Sequence, residues 1–470
     1  MTELHWRAAT DAGSYDGTAL ISVGQGAVHL RTDLPAGTLE NAVATLSWPM
    51  AENEKIFMNG YQTWTECPEL PKWGRQRGTD HIPKFLLDKY AFDRYGDYHF
   101  VRYSKRKGMS HGFSYCYFRS GEHYRLVASL NETPGYTIFY YDAKAAVLRI
   151  ERDCAGVCHG GSVFAAFDLF FAEGSEDEVF DAWFAALGCR PRTTKKLAGY
   201  SSWYNRYQNI DEASILEDLQ GCRALFKPGD LFQIDDGWEA KVGDWLETDP
   251  AKFPHGLRPL ADAAHDSGFL TGLWLAPFVC EKESAVYRDH PDWLLQVNGQ
   301  PWCCGSNWSS FYALDIDNPE VPVMPAFGVV DYCRIGCDVS LDWDDVWYMR
   351  LFHRERVSTK QSIGNTVFRR QLNGRAYGSD PDVFFLREEN CKLTPQQKDQ
   401  LATVNALFSG ILLTSDMPSR YTLEMREQYA ALRDLSAHAE NICVDADHDI
   451  CIRYTLHGQE KTLVLEKKKL

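Results

Sequence analysis

Short alternations of apolar and polar residues fill the first third of the chain. Phe113, Tyr115 and Tyr117, and later Leu148 and Ile150, keep a period of two, and clusters such as Asp33-Leu34-Pro35-Ala36-Gly37 break the runs. This is the pattern of half-buried strands joined by tight turns. Residues 1–174 are therefore expected to form a β-sandwich. The period changes at Ser175-Glu176-Asp177-Glu178, a capping box, after which Phe180, Trp183, Phe184 and Leu187 recur at helical spacing until Gly188. A linker helix is expected over 175–190.

From Leu197 onward, strands are followed by acidic or aromatic loops and then by helices. Strands are predicted at Leu197–Tyr200, Leu231–Ile234, Phe269–Leu275, Val329–Ile335, Val383–Leu386 and Gly410–Thr414. Asp211 should cap a helix with Ile215, Leu219, Cys222 and Phe226 inward, and Thr394-Pro395-Gln396-Gln397 should open one that buries Leu401, Val404 and Phe408. Repeated βα units with polar residues at the strand ends predict a (β/α)8 TIM-type barrel over residues 191–437, in an α/β plus β chain whose last segment, 438–470, is β again.

The spacing is short for such a barrel. A βα unit takes roughly 31 residues, yet only about 60 separate the third strand from the strand near residue 330, where three steps should take about 90. Asn318-Pro319-Glu320 resembles a helix start, but Pro322 and Pro325 forbid a helix interior. The barrel is thus expected to lack about two βα units through an internal deletion around residues 320–322, leaving unpaired strand edges and a less stable sheet.

Composition narrows the class. The 470 residues include 44% apolar and 13% aromatic side chains, enough for ordinary cores, and the net charge of -16 is spread along the chain. Nucleic acid and anionic membranes are not expected as partners, because their surfaces require clustered Lys and Arg. Met1-Thr2-Glu3-Leu4-His5-Trp6 lacks a signal-peptide pattern and no run approaches ~18 apolar residues, so a cytoplasmic location is expected. The 14 Cys are then reduced thiols. Their spacings do not form a structural zinc pattern, and neither a metal nor a cofactor is expected. Asn131-Glu132-Thr133 and Asn307-Trp308-Ser309 match the glycosylation pattern without meeting that machinery in the cytoplasm.

The candidate chemistry is that of sugar binding. Carboxylates accept hydroxyl protons and aromatic faces cover a pyranose, which suits Asp235 and Asp236 with Trp203 and Trp274. On a strand of period two, Arg334, Gly336 and Asp338 share one side, with Gly336 leaving room for a ring between guanidinium and carboxyl; a buried Arg-Asp ion pair is the alternative. The ordered set Asp235-Asp236-Gly237-Trp238, Gly243-Asp244-Trp245, Lys252-Phe253-Pro254-His255-Gly256-Leu257, Gly272 to Phe278, and Arg334-x3-Asp338 resembles the family-36 glycoside hydrolases, the melibiase-type α-galactosidases of clan D. Asn59 to Trp64, His290-Pro291-Asp292-Trp293, Asp380-Pro381-Asp382 and Leu413-Thr414-Ser415-Asp416 fit the same family.

The resemblance implies metal-free, retaining hydrolysis of terminal α-galactosides, α-galactoside oligosaccharides as partners, and self-association into a homo-oligomer. It assigns galactose binding to Asp235 and Asp236, general acid/base catalysis to Asp338, and substrate contacts to Arg334, Trp274, Trp203, Tyr204 and Trp64, with a plain core role the alternative for Trp64. In the family the nucleophilic Asp ends the fourth strand in a Lys-x-Asp motif. None lies between Pro277 and Arg334, and Asp315 and Asp317 match a stretch before that strand, so the nucleophile is expected to be missing with its segment. Four functions remain open: an α-galactosidase, a transglycosylating relative that builds raffinose-type sugars, a galactoside-binding pseudoenzyme, or an inert deleted product.

Overall fold

The computed structural model describes residues 1–78, 84–85, 94, 97, 101–321, 331–336, 339, 343 and 358–467. Among them, two antiparallel sheets lie between Thr2 and Gly174. The first runs Gly13–Ile21, Thr2–Thr10, Gly37–Ser47, Val147–Arg152, Thr137–Asp142, Met109–Phe113, and the second runs Gly26–Leu34, Ser162–Gly174, His123–Ser129, Tyr115–Ser120, Lys55–Met58, Leu70–Pro71. Their facing side chains, among them Leu4, Ala8, Leu30, Phe118, Phe139, Ile150, Phe167 and Phe171, form one core. The alternation at Phe113, Tyr115 and Tyr117 does not run through a single strand. Ser114 at φ 63° breaks it and sends the two halves to different sheets.

The outer face of the second sheet is also apolar, and helix α1 (Glu176–Leu187) covers it. Ser175 donates from its N–H and Oγ to Glu178 Oε2, closing the capping box, and Gly188 ends the helix at φ 64°. Trp183 packs 5.1 Å from Tyr115 and donates to the Ser129 carbonyl. Through Tyr115, Tyr117, Phe180 and Trp183 this layer shares a continuous core with the α/β part that follows.

In that part, β1 (Leu197–Ser201), β2 (Leu231–Ile234) and β3 (Leu270–Leu273) precede β4 (Tyr332–Arg334), β5 (Gly378–Asp380), β6 (Val383–Phe384) and β7 (Ile411–Thr414). One parallel sheet has the order β3-β2-β1-β7-β6, and β4 pairs in parallel with β5. Pro381 and Asp382 join β5 to β6, while Gly410 N–H donates to the Ser379 carbonyl, so the parallel layer continues past β7 toward β4. Helices α2 (Glu212–Arg223), α3 (Arg258–Asp266), α4 (Thr359–Phe368), α5 (Pro395–Phe408) and α6 (Leu423–His438) flank it. Asp211 caps α2 by accepting from Ser214 N–H, and Ile215, Leu219, Cys222 and Phe226 are buried as their spacing requires.

Strand β3 stands apart from its neighbours. Among the described residues its one strand partner is β2, and Leu270, Leu273, Leu275 and Phe278 are 45%, 42%, 37% and 46% exposed. Apolar side chains on a parallel strand are ordinarily covered on both faces. Residues 315–321 form turns, and Pro322 to Val330, half of the stretch around the expected junction, lie outside the described residues. The chain ends in an antiparallel sheet of β8 (Glu440–Asp445), β9 (Ile450–Leu456) and β10 (Gln459–Leu465). No helix among the described residues is long and apolar enough to cross a membrane.

Candidate functional site

Strand β2 delivers Asp235 and Asp236 at its C-terminal end, both buried. Asp235 Oδ2 accepts from Ser201 Oγ at 3.1 Å and Gln233 Nε2 at 2.7 Å, Oδ1 accepts from Asp236 N–H, and Ser202 Oγ accepts from Asp235 N–H. Burial raises the Asp235 carboxyl above its ordinary range, against these hydrogen bonds. Gly237 then turns the chain at φ 112°, where a Cβ would stand 2.9 Å from Gln208 Cα. Lys252, from the stretch ending in Leu257, holds this turn by donating to the Gln208 and Gly237 carbonyls.

Asp236 Oδ2 accepts from Gln208 Nε2 at 2.9 Å and from Trp308 Nε1 at 3.0 Å. Its Oδ1 is buried without an N–H donor. The adjacent Glu239 carboxyl is also buried and hydrogen-bonded to the Asp236 side chain; burial first, and this contact next, push it up to about 8. A neutral Glu239 can donate where a second carboxylate would repel.

That pair gives a pH-dependence. In the unfolded chain Glu239 ionises near its ordinary 4.5 and in the folded protein near 8, so between these values the folded state keeps a proton the unfolded state has lost. Stability therefore falls as pH rises through the window and levels off above it. Chemical denaturation from pH 5 to 9 should show this decline in the wild type and lack it in Glu239→Gln, whose amide still donates to Asp236. Parallel curves for the two proteins would refute the retained Glu239 proton.

An aromatic wall adjoins the pair. Trp238, Trp245, Trp274 and Trp308 form a chain with successive ring centres 6.1, 6.0 and 6.1 Å apart, and Trp238 Nε1 donates to the Trp274 carbonyl. Glu281, buried, fixes the Trp308 loop by accepting from Ser309 N–H and Oγ and from Val242 N–H. Trp203 is half-buried against Tyr207, with ring centres 5.3 Å apart.

A second cluster sits at the ends of β4, β5 and β1. Arg334 Nε donates to Asp380 Oδ2 at 3.0 Å, and its Nη1 lies 3.3 Å from Asp382 Oδ2, which also accepts from Tyr204 OH at 2.7 Å. Ser415 Oγ donates to the Ser201 carbonyl and accepts from Asn205 N–H, tying this cluster to the Asp235 side. Asp235, Asp236, Trp274, Trp203, Tyr204 and Arg334 thus all lie at one end of the parallel layer. Asp338 lies outside the described residues.

Gly336 does a different job from the one its spacing suggested. β4 ends at Arg334, and a Cβ on Gly336 would stand 2.8 Å from Ser362 Oγ and Thr366 Oγ1 and 2.9 Å from the Pro381 carbonyl. The room belongs to helix α4, packed against the chain. Trp64 is half-buried, so the core reading of it is not met. Its loop is pinned by α4: Gln361 donates to the Trp64 carbonyl and Asn365 to those of Thr63 and Thr65. Glu239, Gln208 and Trp308 escaped the sequence reading. Glu239 directly follows the Asp235 to Trp238 motif, and Trp308 lay inside the glycosylation pattern.

The acidic and aromatic side chains thus sit at one end of a parallel α/β layer that follows an antiparallel sandwich. Residues 200–333 match the melibiase family model. Probable α-galactosidase G of Aspergillus terreus is 34% identical over 118 residues, 22% of this chain and 16% of that protein. The α-galactosidase Mel36A of Lactobacillus acidophilus is 36% identical over 128 residues, 26% of this chain and 17% of that protein. The matched stretches thus span about a sixth of these curated relatives. In fold, the chain is similar to the α-galactosidase TtGalA of Thermus thermophilus, solved with p-nitrophenyl α-D-galactopyranoside, at TM-score 0.70 and 22% identity over 94% of this chain and 100% of that one. The family-36 α-galactosidase AgaA of Geobacillus stearothermophilus gives TM-score 0.55 and 12% identity over 96% and 80%. The chain is thus similar in sequence to α-galactosidases over part of its length, residues 200–333 included, and similar in fold to solved α-galactosidases over nearly all of it.

Proposed function

We propose that this chain is an α-galactosidase-type protein that holds a terminal α-galactosyl group at Asp235 and Asp236, in a (β/α)8-type barrel whose fourth and fifth βα units are absent. The observation that carries this reading is the strand order: β3-β2-β1-β7-β6, with β5 running into β6 as one barrel position and β4 beside β5, matches barrel strands three, two, one, eight, seven and six, and among the described residues β3 has no partner on the side where the fourth would pair. The domains follow as 1–174 sandwich, 175–190 linker helix, 191–437 incomplete barrel and 438–470 β segment. The melibiase match over residues 200–333 contains the Asp pair and supports the galactosyl specificity.

In this reading the sugar hydroxyls take the places held on Asp236 Oδ2 by Gln208 and Trp308, and the tryptophan chain lines the apolar face of the ring. Arg334 and Tyr204, held by Asp382, contact the substrate, Trp64 closes the pocket from the sandwich loop, and Asp338 follows as the acid/base. A core continuous from the sandwich to the α/β layer favours a folded binding protein over an inert product. Calorimetric titration tests the reading. Galactose should bind, glucose, its 4-epimer, should not, and Asp236→Asn should weaken galactose binding at least about tenfold, since a hydrogen bond to a charged group contributes ~1.5–3 kcal/mol. Equal affinity for both sugars, or an Asp236→Asn protein that binds galactose undiminished, would overturn the assignment.

A further inference from the structure

Far from the Asp235 cluster, α6 ends with Asp434 and His438 on one face, four residues apart. The turn between β9 and β10 comes against that face. It has two residues, His457 and Gly458, at φ 51° and 75°, the geometry of a type I′ hairpin in which Asn-Gly or Asp-Gly is usual. The turn alone gives no reason for a histidine there.

Three side chains from these two elements meet. His457 Nε2 lies 2.6 Å from Asp434 Oδ2, His438 Nδ1 lies 2.9 Å from Asp434 Oδ1, and one potential ligand atom from each residue falls within 4.8 Å of the others. The imidazole centres are 5.3 Å apart. His438 Nδ1 is also 3.1 Å from the Asp434 carbonyl oxygen; when that bond is made, Nε2 becomes the free ligand atom.

The geometry points to a divalent transition-metal site, of the zinc class, formed by Asp434, His438 and His457. Two imidazole nitrogens and a carboxylate oxygen are a zinc donor set, with a further position open to water. Donors ~2.0–2.1 Å from a tetrahedral ion stand about 3.3 Å apart, so the carboxylate has to draw back from the rings by less than about an ångström and donors up to 4.8 Å apart have to close by up to about 1.5 Å. Side chains that are 40%, 58% and 59% exposed have that freedom. The bound ion would clamp the C-terminal sheet to the end of α6. This site is independent of galactosyl chemistry and stands whether or not that reading holds.

The test is isothermal titration of the metal-free chain with Zn²⁺ in TCEP, repeated with Co²⁺ so that visible absorption reports the ligands. One ion per chain is expected, with a Co²⁺ spectrum free of thiolate charge transfer and a melting temperature raised by a few degrees at saturating zinc. His457→Asn, which suits the type I′ turn, and His438→Gln should each weaken binding at least about tenfold and remove the zinc-induced rise, while the metal-free melt stays unchanged. Absence of binding, a thiolate spectrum, or binding that survives both substitutions would reduce Asp434 to the hub of a hydrogen-bonded bridge and overturn the site.

Discussion

The purified chain is expected to release nitrophenol from p-nitrophenyl α-galactoside at least about 10⁴-fold more slowly than an intact retaining glycosidase, because the nucleophile acts as part of a unit with the acid/base. Retention requires two carboxyls about 5–5.5 Å apart, one of which attacks the anomeric carbon. The chain between Pro277 and Arg334 contains no Lys-x-Asp, and four carboxylates at this end of the layer are held by protein donors in the free chain. Asp235 is bonded by Ser201 and Gln233, Asp236 by Gln208 and Trp308, Asp380 by Arg334, and Asp382 by Tyr204 and Val339 N–H. Binding and turnover should therefore separate, with galactose retained and hydrolysis near background. Hydrolysis at an ordinary kcat of ~1–10³ s⁻¹, abolished by Asp338→Ala, would show that another carboxylate has taken the nucleophile's place.

Arg369→Ala is expected to lower stability by about 3 kcal/mol or more and to release the Trp64 loop. This arginine is buried between the sandwich and the α/β layer. Its Nε donates to Asn59 Oδ1, Nη1 to the Ile335 and Thr63 carbonyls, and Nη2 to the Gln62 carbonyl and Cys67 Sγ. Truncation leaves several buried acceptors without donors at once, and each such group costs ~1–3 kcal/mol. Arg369→Lys should recover little, because an ammonium cannot span the fork that joins Ile335 to the loop. Denaturation midpoints of the two variants and limited proteolysis of residues 59–67 check this. A midpoint unchanged in Arg369→Ala, with the loop still protected, would show that Gln361 and Asn365 hold the loop alone.

The two experiments bear on different parts of the site. Arg369 connects the chain just before Asp338, through Ile335, to the loop of Trp64, so its loss should weaken galactose binding through displacement of Trp64 without changing the Asp235 cluster. An affinity equally reduced in Arg369→Ala and Asp236→Asn, with no change in fold, would contradict that separation.

Much of the architecture was legible because it is local. The capping boxes at Ser175 and Thr394, the Asp211 cap and the apolar run Leu231–Ile234 ending in two carboxylates depend on residues within a few positions of one another. Segment lengths, also a property of the chain alone, underlie the expectation that the barrel lacks about two βα units. The tertiary structure decided what distant loops do to one another. Trp308 reaches Asp236 from 72 positions away, Glu239 keeps a proton because folding buries it and sets it beside Asp236, and Gly336 makes room for α4 where period-two reasoning gave that room to a sugar. Periodicity assigns a residue to a face. Which partner meets that face, and whether burial there keeps a carboxyl charged or neutral, depends on contacts between segments far apart in the chain.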